Sequence, residues 1–183
     1  SGVVVISYRS RLAVKVTLLA VFSVLTFLSA LLNKFTLQGG QIFFSIIYST
    51  GVLTLGSFGS GTLIAFIAGL MYMFQSTLGY FSLASFAVRG VTTDLMFLLL
   101  GVYKDSKQYR YSWIKIAIGL VVSSFLTGLF QYFFFVVFMK MLIDFGRFIV
   151  SIIFLVALIS NGVGGFITGK IVMPRISSII RFR

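Results

Sequence analysis

Six apolar stretches, parted by short polar breaks, leave this chain almost nothing with which to cover a water-facing surface. They run over 12–32, 42–55, 62–74, 81–103, 113–139 and 148–173. A helix needs about 20 apolar residues to cross a bilayer. In lipid the backbone must satisfy its own polar groups, which leaves only helices and closed barrels. Barrel strands are about 10 residues long and alternate in polarity, and these stretches do neither. The expected fold is an all-α integral membrane protein of the cell membrane: a single transmembrane domain over 1–183, multi-pass, with six transmembrane helices. The stretches at 42–55 and 62–74 are short for a crossing, so tilt or protein cover must shield their ends. A re-entrant pair there, leaving four full spans, is the nearest alternative. The only proline, Pro174, is expected to punctuate the end of the last span.

Charge orients the bundle and narrows its chemistry. Apolar residues make up 59% and charged residues 10%, against about 45–50% and about 25% in soluble domains. Lys and Arg total 15 against three acidic residues, all Asp, for a net charge of +12. Basic residues collect in cytoplasmic loops. With six spans, eleven of the fifteen fall on one side: Arg9, Arg11, Lys15, Lys104, Lys107, Arg110, Lys115, Lys170, Arg175, Arg181 and Arg183. Lys34, Lys140 and Arg147 fall on the other, and Arg89 lies within a span. Both termini are therefore expected to be cytoplasmic. The basic face reads as orientation plus attraction to anionic lipid headgroups; its residues are too dispersed for nucleic acid. No His and no Cys is present, which excludes imidazole or thiol nucleophiles, zinc sites and thiol redox. Asp94, Asp105 and Asp144 are too few for most metal cages. No enzyme, metal or cofactor is expected.

Polar residues inside the spans carry the functional information, because each costs free energy to bury. At about 1.5 Å per residue, Arg89 and Gln131 lie roughly 12 Å below the outer ends of their spans. Asp94 and Asn161 lie roughly 20 Å down. Two tiers follow, an outer one of Arg89, Gln131 and Tyr132 and an inner one of Asp94 and Asn161, with Gln75 and Tyr80 at the mouth. A cavity lined by the last three spans and open to the outside explains them as ligand groups. The competing explanation makes Arg89 and Asp94 mutual partners that pin helices, with Gln131 and Asn161 as interhelical packing amides. Small residues form a second set. Gly165 and Gly169 make a G-x-x-x-G that serves either close packing within the chain or docking of another subunit. Gly39-Gly40 and the 56–61 turn are candidate hinges.

Three stretches resemble the substrate-binding S component of an energy-coupling factor (ECF) transporter, and within that family the thiamine/hydroxymethylpyrimidine group. They are the Gly-Ser-Gly-Thr-Leu-Ile-Ala-Phe-Ile-Ala-Gly-Leu run at 59–70, the segment 89–101 that reads Arg-Gly-Val-Thr-Thr-Asp before an apolar run and Gly101, and the glycine-rich 161–170 before a basic end. The resemblance implies capture of a vitamin or vitamin precursor from outside, with Arg89, Asp94, Gln131, Tyr132, Asn161, Gln75 and Tyr80 binding it and Tyr80, Phe81 and Tyr132 supplying rings to stack on it. It also implies a transmembrane coupling subunit and cytoplasmic ATPases as partners. The family's Ala-x-x-x-Ala coupling pattern falls at Ala13 and Thr17, and Gly165 and Gly169 are candidates for the same contact. No phosphate-binding Walker motif is present, so ATP hydrolysis would belong to the partners. Two other function classes remain open from the residues alone: a structural accessory subunit of a larger membrane complex, and a small ion-coupled carrier.

Overall fold

The computed structural model describes residues 8–36, 40–108 and 110–181. Gly39 and Arg183, and the side chains of Arg9, Arg11, Lys107 and Arg181, lie outside the described residues. Every regular element among the described residues is helical: α1 (Tyr8–Phe35), α2 (Gln41–Leu55), α3 (Ser60–Met73), α4 (Gly79–Leu99), α5 (Val102–Lys107), α6 (Trp113–Val137), α7 (Phe145–Ile149), α8 (Ile152–Ile167), a π-helical turn (Thr168–Val172) and α9 (Met173–Arg181). Four stretches are long and apolar enough to cross a membrane: Leu12–Phe35, Gly79–Leu99, Trp113–Val137 and Ile152–Ser177. The chain is a helical membrane protein.

Three helix boundaries differ from the sequence expectation, each for a local reason. The stretch 81–103 is not one helix. Gly101 takes a left-handed φ of 70°, which closes α4 in the manner of a glycine cap and lets the chain turn back into the short α5. The stretch 148–173 begins later than expected, because Ser151 caps α8 by accepting from the Phe154 N–H at 3.3 Å. Nor does it end at Pro174. The Met173 N–H reaches back five residues to the Thr168 carbonyl, so the register has widened just before the proline. A ring that would collide with the carbonyl four residues back in an α-helix is thereby tolerated, and helix continues to Arg181.

The six long and medium helices close into a ring. α1 lies beside α2, α2 beside α8, α8 beside α6, α6 beside α4, α4 beside α3, and α3 beside α1, with α2 and α3 also touching across it. The seams are built from small residues. A Cβ on Gly90 would sit 2.6 Å from the Thr62 Cα, one on Gly165 2.6 Å from the Ala117 Cα, and one on Gly169 2.6 Å from the Trp113 Cα. Gly165 and Gly169 thus face α6, as the close-packing reading of their G-x-x-x-G has it. Several buried Ser and Thr satisfy themselves on their own helices, as where Ser23 donates to the Leu19 carbonyl at 2.8 Å and Thr127 to the Ser123 carbonyl at 2.8 Å. Large apolar side chains such as Leu25, Phe66, Leu98, Ile118 and Ile159 point outward, where lipid replaces water as their neighbour.

α2 and α3 set the main structural problem. With 15 and 14 residues they reach only about 22 Å at 1.5 Å per residue, short of a hydrocarbon core of about 30 Å. The turn that joins them keeps Ser57 and Phe58 exposed, but the start of α3 at Ser60 and Gly61 is buried, so its unpaired backbone N–H groups need partners. α3 has no side-chain cap of its own. Asp94, on α4, supplies one. Its Oδ1 accepts from the Gly61 N–H at 3.0 Å and from the Tyr103 hydroxyl. Its Oδ2 accepts from the Thr62 N–H at 2.7 Å and the Thr62 hydroxyl at 2.6 Å. A carboxylate at a helix N-terminus also meets the positive end of the helix dipole. α5 covers the same turn from the other side: Ser106 donates to the Leu53 carbonyl at 3.2 Å, and Val102 and Tyr103 are buried.

Asp94 thus has four donors, and among the described residues the ion pair joins Lys115 to Asp105 at 2.6 Å while none joins Arg89 to Asp94. The competing explanation, in which Arg89 and Asp94 are mutual partners, does not hold: the two residues belong to different polar centres. Asp94→Ala should lower unfolding stability in detergent by about 3 kcal/mol, since it orphans several buried donors, with Asp94→Asn in between. Lys115→Ala, breaking a pair whose side chains are 43% and 29% exposed, should cost less than about 1 kcal/mol. Thermal unfolding of the three variants checks the order.

Candidate functional site

The ring of helices encloses a cavity of about 490 Å³ at one end of the bundle. Its walls come from the C-terminal parts of α1, α3 and α6 and the N-terminal parts of α2, α4 and α8. The expected lining by the last three spans is extended to the first three, since Ala30, Asn33, Gln41, Phe44 and Tyr72 also contribute. At the mouth, Asn33 Nδ2 donates to Gln41 Oε1 at 3.0 Å, tying α1 to α2. Lys34 Nζ donates to the Gln75 carbonyl at 3.2 Å, tying α1 to the α3–α4 connection.

Arg89 lines this cavity and is 5% exposed. Its guanidinium has five donors, yet the acceptor it meets is the single Oδ1 of Asn161, and Nε has no partner. Asn161 is itself oriented, because its Nδ2 donates to the Ala157 carbonyl at 2.7 Å and to Ser124 Oγ at 3.1 Å. The oxygen is left facing the arginine. The Arg89 carbonyl accepts from Thr93 at 2.8 Å and Ser123 at 3.2 Å, which holds the backbone beneath the side chain. Phe44 lies 6.0 Å from the guanidinium carbon by ring centroid, within reach of a cation–π contact. Four residues earlier on the same helix face, Ser85 also lines the cavity, and its buried hydroxyl has no partner.

Aromatic rings frame the rest. Phe86 packs on Tyr72 at 5.5 Å and on Phe44 at 6.0 Å. Across the cavity Phe81 stacks on Phe134 at 4.2 Å, and Phe148 meets Phe154 at 5.1 Å. With Asn33, Gln41, the serines, Thr127 and Gln131, the lining mixes polar and apolar side chains almost evenly, so a guest here would meet more polar groups than in the usual apolar small-molecule site. Among the described residues no group of His, Cys, Asp or Glu could hold a metal ion.

The candidates named from the sequence separate into three groups. Arg89 and Gln131 line the cavity, and Asn161 stands directly behind Arg89. Asp94, Tyr132, Gln75 and Tyr80 do not line it. Asp94 caps α3. Tyr132 lies one residue past Gln131, turned about 100° around the helix; its hydroxyl donates to the Ile143 carbonyl at 3.1 Å and its ring packs on Phe145 and Phe148. Gln75 is exposed and Tyr80 is 82% exposed. Ala13 and Thr17 lie on the exposed first turns of α1, with Thr17 Oγ1 donating to the Ala13 carbonyl at 2.9 Å. Ser85, Ser82, Ser124 and Thr127 were missed. Their spacing of three or four residues from Arg89, Gln131 or one another marks one helix face, and that signal was present in the sequence.

A buried cation lacking an acid partner is costly to keep. Replacing Arg89 and its acceptor together, as Arg89→Met/Asn161→Leu, should leave the ligand-free protein at least as stable as the wild type, judged by melting temperature in one detergent. Asn161→Leu alone, which leaves the guanidinium without its acceptor, should be less stable than the double variant by about 3 kcal/mol.

No family model, curated protein or solved structure matches this chain.

Proposed function

We propose that this chain is the substrate-capture subunit of a vitamin or vitamin-precursor importer of the energy-coupling factor type. It crosses the cell membrane six times with both termini in the cytoplasm. A small molecule arrives from outside, enters the cavity and is held against Arg89. The chain catalyses no reaction. A transmembrane coupling subunit and cytoplasmic ATPases drive release on the inner side. Ala13 and Thr17, on the exposed start of α1, lie where such a partner could reach.

The observation that carries this reading is the Arg89 guanidinium, buried at the cavity with most of its donors unused. Ionisable side chains persist within a membrane chiefly where function requires them. The distribution of charge agrees with the direction of capture. Lys34, Lys140 and Arg147 lie towards the cavity end, whereas Lys15, Lys104, Arg110, Lys115, Lys170 and Arg175 lie towards the other. By the positive-inside rule the cavity then opens away from the cytoplasm.

Two measurements test it. The chain contains no Cys, so single cysteines can be labelled without background. In sealed cells Leu142→Cys should react with an impermeant maleimide and Lys104→Cys should not; the reverse pattern overturns the orientation. Purified protein should bind one member of a panel of vitamins and precursors with Kd in the micromolar range or below, and Arg89→Ala should weaken that binding at least tenfold. Stable co-purification with a non-transport enzyme, with no small molecule bound, would favour the accessory-subunit reading instead.

A further inference from the structure

We infer that the guest of the cavity carries one anionic group, a carboxylate or a phosphate, seated between Arg89 and Ser85, and an otherwise uncharged body. The inference rests on the capture reading and narrows its substrate class.

Charge accounting leads there. Among the described residues that line the cavity, Arg89 alone carries a charge, and neither Asp nor Glu is present to balance it. The acid elsewhere in the membrane region, Asp94, already has four donors at the start of α3. The guanidinium therefore keeps its full positive charge where burial makes an unpaired cation costly. Its planar fork suits a two-oxygen acceptor, and charge-assisted bonds of this kind are the strong ones. The Ser85 hydroxyl, one helical turn away and without a partner, adds a neutral donor on the same face. The remaining lining offers amides, hydroxyls and rings but no second ionic partner, so further charge on the guest would be desolvated without compensation. A cation such as thiamine would bring a second positive charge beside Arg89, and the inference excludes it from this cavity.

The same headgroup chemistry could come from a soluble guest or from an anionic lipid reaching in from the membrane, and the experiment separates them. The purified full chain is placed in nanodiscs of neutral phosphatidylcholine and, in a parallel set, of phosphatidylcholine mixed with phosphatidylglycerol. Melting temperature and binding are followed for matched pairs that differ only at the head, such as benzoate with benzamide and nicotinate with nicotinamide, for inorganic phosphate, and for thiamine. At least one anion should bind ten times more tightly than its neutral partner or thiamine. Arg89→Gln should abolish that preference. Should Arg89→Gln not fold, Ser85→Ala, a small change at the cavity wall, should weaken the anion about tenfold and leave neutral guests unaffected.

Equal or tighter binding of the amides or of thiamine overturns the anionic class and leaves the capture reading standing. A response only to discs containing phosphatidylglycerol, lost in Arg89→Gln, keeps the anion but assigns it to lipid, and the capture reading falls. If no carboxylate, phosphate or anionic lipid changes either readout, the anionic class is overturned whatever neutral molecules do.

Discussion

Backbone amides and carbonyls find no water in oil, and the rest of this fold answers to that constraint. Two of its ring-forming helices are shorter than the hydrocarbon is thick, and the second of them begins, after the turn that joins them, at Ser60 and Gly61, which are buried among other helices. Asp94 makes that arrangement possible. One carboxylate from α4 supplies the cap that α3 lacks, and the chain then reverses at Gly101 so that α5 can cover the same turn with Tyr103 and Ser106. A close glycine contact stands beside it, with Gly90 on α4 against Thr62 on α3. One of the small-residue seams and the most heavily bonded side chain are thus parts of one joint.

Two polar centres result, and they differ in how fully their bonding capacity is used. At Asp94 the carboxylate oxygens are taken up by four donors from α3 and α5, so that centre is complete within the chain. At Arg89 one acceptor faces five potential donors. A complete buried network rigidifies, while an incomplete one is costly unless something else completes it. The open centre faces a cavity and the closed one does not, which is the physical basis for assigning structure to one and function to the other.

The fold class was legible because it depends on composition and run length alone. Apolar runs without alternation admit one type of backbone in lipid, whatever their neighbours. Helix ends were less so. The break at Gly101 and the passage through Pro174 turn on hydrogen-bond register, and a lone glycine or proline in an apolar run is compatible with several registers. Within the site, Arg89 stood out because a charge in a span is rare. Ser85 and Thr127 did not, because small hydroxyl residues are common throughout these helices and only their facing direction distinguishes them. Tyr132 shows the reverse failure: depth along a helix placed it beside Gln131, but depth says nothing of azimuth.

Residue order by itself determined that this chain is helical and lives in a membrane, and that a guanidinium, a carboxylate and two amides lie within its spans. These follow from the free energy of transferring side chains and peptide groups into oil, a property of each residue and its near neighbours. Only the tertiary structure decided which of them meet. Arg89 and Asp94 are five residues apart on one helix, and yet the first turns to Asn161 on α8 and the second to the start of α3. Partner choice among buried polar groups depends on which helices adjoin in the ring and how they are rotated. Packing of the whole chain sets those quantities, and no local stretch contains them.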